Sequence, residues 1–292
     1  MDIQKRRLEY QNRRRGYTVV RSSSGVAAGA ALVLVLHGTL QNGEAVRTRT
    51  SAKSFDELAA TGRAVIAYPD AVRREWNGAR KAVMFWRGAK DVDDVGFLRT
   101  LAAELVAEFG LDPQRVYVVG FSLGGQMTMR LLHDAPELMA GAAIIGACLP
   151  APDNRTCRGD TPAAVPVLLI HGTADPVASY TGGPMTGPLG LFPKGEHLSA
   201  EATAAYFATG NGITDEPEVE WVYGAPASIG SVRRTEYRQA GRPPVRLYSV
   251  IGGGHQIPGA PAVTPRLLGP SPSPLSAAEA VGEFFGVPDS ES

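Results

Sequence analysis

Hydrophobic positions along the chain gather into short unbroken runs, separated by stretches of helical period. The run "ALVLVL" (residues 31–36) is apolar throughout, the pattern of a strand covered on both faces. Runs of the same kind follow at "AVIAY" (64–68), "RVYVV" (115–119), "GAAIIGA" (141–147), "PVLLI" (166–170) and "VRLYSV" (245–250). Between the second and third runs, "DVGFLRTLAAELVAEFG" sets Phe97, Leu98, Leu101, Leu105 and Phe109 at helical spacing and stops at Gly110. Asp94 is expected to cap this helix over 95–109. Ser54 with Glu57, and Ser276 with Glu279, have the spacing of capping boxes and predict two further helix starts. Strands alternating with helices predict βαβ crossovers, hence an α/β fold with a mainly parallel central sheet and helices on both faces. No shift in composition divides the chain. The expected organisation is a basic arm over 1–16, one catalytic domain over 17–287 and a tail over 288–292, with the proline-rich stretch 258–274 as a surface loop before the last helix.

Composition narrows the function more than the fold. Of 292 residues, 44% are hydrophobic, enough for a sizeable core. The 29 basic and 29 acidic residues cancel, so nothing points to a nucleic-acid partner. The one charge cluster, "KRRLEYQNRRR" from Lys5 to Arg15, reads as a solvated leader. No apolar run approaches the ~18 residues of a membrane span. The first 30 residues also lack the apolar stretch of a signal peptide, so the chain as written is expected to be soluble and cytoplasmic. Cys148 and Cys157 do not make a disulfide framework, and a local bridge and free thiols both stay open. No histidine shows H-x-x-x-H or H-E-x-x-H spacing, so neither a metal nor another cofactor is expected.

The chemistry concentrates at the ends of the strands. "VVGFSLGGQ" (118–126) is a strand that breaks into glycines around Ser122 and then becomes helical, with G-x-S-x-G from Gly120 to Gly124. Ser122 follows "RVYVV", Asp175 follows "PVLLI" and His255 follows "VRLYSV". In open parallel sheets, ligands bind just beyond such ends. A serine hydroxyl needs a base within hydrogen-bond reach, and the base needs an orienting acid. The chain order serine, aspartate, histidine is that of α/β-hydrolases. His255 sits in "GGGHQIPG", where three glycines let the backbone present the ring. His37 and His171, in "LHGT" (36–39) and "IHGT" (170–173), read as structural hydrogen-bonders, and His133 and His197 are set aside. Asp70, Asp94 and Asp134 are other acids, but only Asp175 lies at a late strand end between the serine and the histidine. The amides of Leu123 and Thr39 are the expected oxyanion donors. Trp76 and Trp86 are candidates for a substrate pocket, with buried packing as the alternative.

Seven segments in order, "LHGTLQN", "AYPDA", "DVDDVGF", "VYVVGFSLGG", "IHGTADPV", "GEHLSAEAT" and "GGGHQIPG", resemble the polyhydroxybutyrate-depolymerase-type esterases, a group that includes feruloyl and acetylxylan esterases. The resemblance runs over residues 17–286. It implies an α/β-hydrolase fold and Ser122, Asp175 and His255 as the triad of a serine esterase. The reaction implied is hydrolysis of a small-molecule or oligomeric ester, of short-chain, hydroxyalkanoate-oligomer or feruloyl/acetyl type, through an acyl-serine. Acyl transfer, peptide hydrolysis and non-catalytic ligand binding on the same scaffold remain alternatives, and oligomeric state stays open. Members of the group are commonly secreted, unlike the expectation from the N-terminus. Two departures stand out. Thr39 replaces the usual cysteine after the first His-Gly, which leaves a backbone amide unaffected. Gln256 and Ile257 replace Thr-Trp after the histidine, which takes away an aromatic wall and makes these two residues candidate substrate contacts.

Overall fold

All six apolar runs are strands, and the sheet they form continues beyond them at both edges. A computed structural model describes residues 1–82, 87–159, 161–185, 195–260 and 268–287. The six are β3 (Ala31–Leu36), β4 (Ala64–Pro69), β5 (Val116–Phe121), β6 (Gly141–Ile145), β7 (Val167–Gly172) and β12 (Val245–Val250). They run parallel in the order β4-β3-β5-β6-β7-β12. Successive residues feed opposite faces. Leu32, Leu34 and Leu36 join one buried cluster with Phe97, Leu101 and Met127. Ala31, Val33 and Val35 join the other with Phe55, Leu58 and Val281. Helices α2 (Asp94–Phe109), α3 (Leu123–Asp134) and α4 (Ala200–Gly210) supply the first layer. Helix α5 (Ala277–Phe285) and a 3₁₀ turn over Ser54–Ala59 supply the second. The fold is α/β with a mostly parallel central sheet and helices on both faces, as expected.

The edges depart from the sequence reading. The basic cluster lies not on a solvated leader but on β1 (Asp2–Tyr10) and the start of β2 (Arg13–Arg21), an antiparallel hairpin that joins the sheet against β4. An edge strand covered on one side needs little hydrophobicity, and its charges discourage pairing with other chains. Arg6 reaches Glu108 on α2 at 2.6 Å. At the far edge, β10 (Glu218–Tyr223) and β11 (Val232–Tyr237) pair antiparallel beside β12, in segments too polar to stand out by period. A short hairpin, β8 (Gly183–Pro184) with β9 (Glu196–His197), lies outside the main sheet.

Capping is also partly corrected. Asp93, not Asp94, caps α2, accepting from the Gly96 amide at 2.9 Å. Asp94 is buried, pairs with Arg15 at 2.7 Å and accepts from the Asn77 amide at 2.8 Å. Ser54 makes no capping box: Lys53 holds the cap position at φ 66°, and the Ser54 Oγ is buried without a partner among the described residues. Ser276 does cap α5, accepting from the Glu279 amide at 3.3 Å. Cys148 and Cys157 are both free thiols. Residues 261–267 of the proline-rich loop and the tail 288–292 lie outside the described residues. Among the described residues, no helix is long and apolar enough to cross a membrane.

Candidate active site

Strand β5 runs into helix α3 through one residue. Ser122 stands at φ 55°, ψ −114°, a backbone conformation that costs a non-glycine residue energy and clusters at functional sites. Its amide donates to Ile145 O on β6 (2.9 Å), and its carbonyl accepts from Gln126 N (3.1 Å), pinning the turn on both sides. The flanking glycines are steric necessities. A Cβ at Gly120 would come 2.3 Å from Gly124 O, and one at Gly124 would come 2.1 Å from Leu36 O.

Asp175 follows β7 and is held by its own turn. Its Oδ1 accepts from the amides of Val177 (2.7 Å) and Ala178 (2.8 Å). Its Oδ2 accepts from His255 Nδ1 at 2.7 Å. Burial works against the carboxylate, but the adjacent His255 and these hydrogen bonds outweigh it and hold the Asp175 carboxyl below its ordinary range. His255 follows β12 through Gly252, Gly253 and Gly254. The chain there is fixed by Gly254 N to Pro270 O (2.8 Å) and His255 N to Leu268 O (2.6 Å). The imidazole packs on Phe121 with centroids 5.1 Å apart. With Nδ1–H given to Asp175, Nε2 is the acceptor, and Ser122 Oγ donates to it at 2.9 Å. His255 and Asp175 are buried while Ser122 is half-buried, so the hydroxyl is the exposed end of this chain of hydrogen bonds.

The loop after β3 lies against the serine. A Cβ on Gly38 would come 3.3 Å from Ser122 Cβ. Among the described residues, neither the next amide, Thr39, nor that of Leu123 donates to a protein acceptor. The loop is tied down from below. His37 Nδ1 donates to Gly38 O (2.7 Å), while its Nε2 accepts from the Ala71 amide (3.0 Å). Trp76 Nε1 donates to His37 O (3.0 Å), and Leu40 N donates to Arg74 O (3.1 Å). Burial pushes His37 down to about 4, which keeps the ring neutral and Nε2 free to accept.

The comparisons with known proteins agree with this frame. The family described as Phospholipase/Carboxylesterase matches residues 97–189. NocK of Nocardia uniformis subsp. tsuyamanensis, an esterase by name, is 30% identical over 263 residues, covering 88% of this chain and 74% of NocK. The chain belongs to the α/β-hydrolase esterases. This esterase is also 26% identical over 286 residues to poly(3-hydroxyalkanoate) depolymerase C of Paucimonas lemoignei, covering 90% of its own length and 65% of that relative, just under two thirds. An acetyl xylan esterase from Aspergillus awamori shares the fold, with a TM-score of 0.63 over 99% of this chain and 100% of that one at 14% identity.

The remaining histidines of the esterase are structural hydrogen-bonders. His171 Nε2 donates to Ala178 O (2.7 Å), His133 Nδ1 to Met129 O (2.7 Å) and His197 Nδ1 to Leu198 O (2.9 Å). The pocket candidates are redistributed. Trp76 is fully buried, with its ring 5.0 Å from that of His37, so it braces the β3 loop instead of lining an open pocket. Ile257 is buried in the core with Leu275 and Val281. Gln256 donates to Gly269 O and fastens the loop that carries His255. Trp86 lies outside the described residues. Among the described residues, no group of three or more His, Cys, Asp or Glu side chains could hold a metal ion. Arg74 and the packing of Gly38 on Ser122 had no signal in the sequence, since both depend on how the loops after β3 and β4 cross.

Proposed function

We propose that this esterase is a serine carboxylic-ester hydrolase that works through an acyl-Ser122 intermediate. One observation carries the reading: Ser122 Oγ, on its strained turn, lies 2.9 Å from His255 Nε2, and His255 Nδ1 lies 2.7 Å from Asp175 Oδ2. In this mechanism His255 Nε2 takes the hydroxyl proton as Oγ attacks the ester carbonyl carbon. The tetrahedral oxyanion accepts from the amides of Leu123 and Thr39. Collapse breaks the bond to the alcohol oxygen, and His255 returns its proton to that oxygen. Water then gives a proton to His255 and attacks the acyl carbonyl carbon, and as the bond to Ser122 Oγ breaks His255 returns the proton to Oγ and the acid is released. The ionised Asp175 holds the imidazole in the tautomer with Nε2 open and stabilises the imidazolium in between.

The substrates proposed are short-chain esters, hydroxyalkanoate oligomers and feruloyl or acetyl esters. The depolymerase relative supports the second group. The test is Ser122→Ala, which removes the nucleophile and leaves a side chain that fits the turn. The expected result is a loss of about 10⁴-fold or more in kcat on p-nitrophenyl butyrate, together with loss of fluorophosphonate labelling and an unchanged circular dichroism spectrum. Activity within tenfold of wild type in protein free of host esterase rejects the assignment.

A further inference from the structure

Asp175 Oδ2, the oxygen that accepts from His255, has a second imidazole near it. His171, next to last in β7, brings its Nε2 to 3.5 Å from that oxygen. The proposed reaction uses His255 alone, so the buried ring of His171 stands outside it. Its proton can be placed from its neighbours. Nε2 lies 2.7 Å from Ala178 O. A carbonyl can only accept, and so can the ionised Asp175, so the proton sits on Nε2 and Nδ1 is bare. The Cys148 sulfur faces that nitrogen at 3.7 Å. Cys148 is a buried free cysteine, and burial pushes its thiol far up, so it keeps its proton and S–H donates to Nδ1. Burial also holds His171 below its ordinary value against the pull of Asp175, which keeps the ring neutral. The opposite tautomer would set a bare Nε2 against two acceptors and leave the thiol without one.

Ala178 links this ring to the site above. Its carbonyl is held by His171, and its amide holds Asp175 Oδ1 at 2.8 Å, beside the Val177 amide at 2.7 Å. The same turn is closed by Asp175 N donating to Gly172 O (3.3 Å) and attached to the His255 loop by Ala174 N donating to Gly253 O (2.9 Å). His171 is itself fixed from several sides. Tyr180 meets it edge-on, with centroids 5.9 Å apart, and the Tyr180 hydroxyl is hydrogen-bonded to that of Ser249 at 2.7 Å. Ser249 is the residue of β12 opposite His171. At 3.5 Å the His171 Nε2–H is too far from Oδ2 for a good hydrogen bond, but it still favours the ionised carboxylate.

We infer that His171 is a positioning residue for Asp175, set in its working tautomer by the Cys148 thiol. Cys148, His171, Ala178 and Asp175 form one row that fixes the acid's orientation from inside the sheet. The inference rests on the proposed ester hydrolysis for its kinetic readout, and a spectroscopic readout tests the row without turnover. The variants are His171→Leu, which removes both ring nitrogens, and His171→Gln, whose amide N–H can reach Ala178 O. On p-nitrophenyl butyrate, His171→Leu is expected to lower kcat by about 10- to 100-fold, the range of a hydrogen bond to a charged group, with little change in KM. His171→Gln is expected to regain most of that loss. Cys148→Ala is expected to cost about three- to tenfold in kcat, and Cys148→Ser, which keeps a donor, to restore it. In ¹⁵N-histidine NMR spectra, wild-type His171 is expected to carry its proton on Nε2. The low-field resonance of His255 Nδ1–H is expected to move upfield in His171→Leu and to return in His171→Gln. Undiminished kcat in His171→Leu, equal losses in the leucine and glutamine variants, an unmoved His255 resonance, or a proton on His171 Nδ1 each overturns the inference. If His171→Leu does not fold, the wild-type tautomer and the Cys148 pair decide, and Cys148→Ala at full kcat then overturns it. Failure of ester turnover with the His255 resonance moving as expected would reject the proposed reaction and leave the positioning role standing.

Discussion

At the scale of single residues, the arrangement turns on which nitrogen of His255 carries the proton. Asp175 Oδ1 is saturated by the amides of Val177 and Ala178, so only Oδ2 faces the ring, at 2.7 Å from Nδ1. A carboxylate there can only accept, which forces the proton onto Nδ1 and leaves Nε2 to accept from Ser122. Asp175→Asn keeps the shape and the Oδ1 contacts but presents an amide N–H to Nδ1, reversing the tautomer. The expected outcome is a fall of about 10⁴-fold in kcat with the thermal midpoint close to wild type. An asparagine variant within tenfold of wild type would mean that Asp175 does not orient the base. The same logic explains His37, whose Nε2 must stay unprotonated to accept from Ala71.

At the scale of elements, the serine turn works because β3, β5 and α3 approach more closely than side chains allow. Gly124→Ala places a methyl group 2.1 Å from Leu36 O and 2.9 Å from His37 O, both rigid backbone atoms. Either α3 or the β3 loop has to move, and with it Ser122 or the Thr39 amide. The expected cost is about 3 kcal/mol of stability and at least a hundredfold loss of ester turnover. Gly110→Ala is the control: it closes α2 at φ 62° with nothing within 4 Å, so only local strain of about 1 kcal/mol is expected, with turnover retained. Urea unfolding and kinetics on both variants check the pair. Equal effects at the two positions would show that the tight packing of α3 on β3 is not what holds the turn.

At the scale of the whole molecule, burial of histidines couples stability to pH. His37 is lowered from 6.5 to about 4 by burial, and burial also lowers His133, His171 and His197. An unfolded histidine binds its proton near 6.5 while these folded ones do not, so the unfolded chain holds more protons in that window. Stability is therefore complete above about pH 6.5 and is lost as pH falls towards 4. His37 alone contributes about 3 kcal/mol over this range. Asp70 and Asp94, raised by burial, take up protons in the folded state and offset part of the loss at the acid end. Unfolding free energies from urea titrations at pH 7.5, 6, 5 and 4.5 are expected to fall by several kcal/mol across the series. A flat profile would contradict neutral burial of these rings.

What could be read from the chain alone was local or sequential. Unbroken apolar runs mark strands covered on both faces, and their alternation with helices dictates a parallel sheet. Glycines around Ser122 and before His255 mark sharp turns at strand ends, so the residues past β5, β7 and β12 were legible as site candidates without coordinates. Distances were not, because Ser122 and His255 lie 133 positions apart, and only the register of the sheet brings their atoms to 2.9 Å. Properties that depend on burial were also illegible. The charged strand β1 has no apolar period because an edge strand needs none. Trp76 read as pocket or core and Ile257 as a substrate contact until the packing buried both.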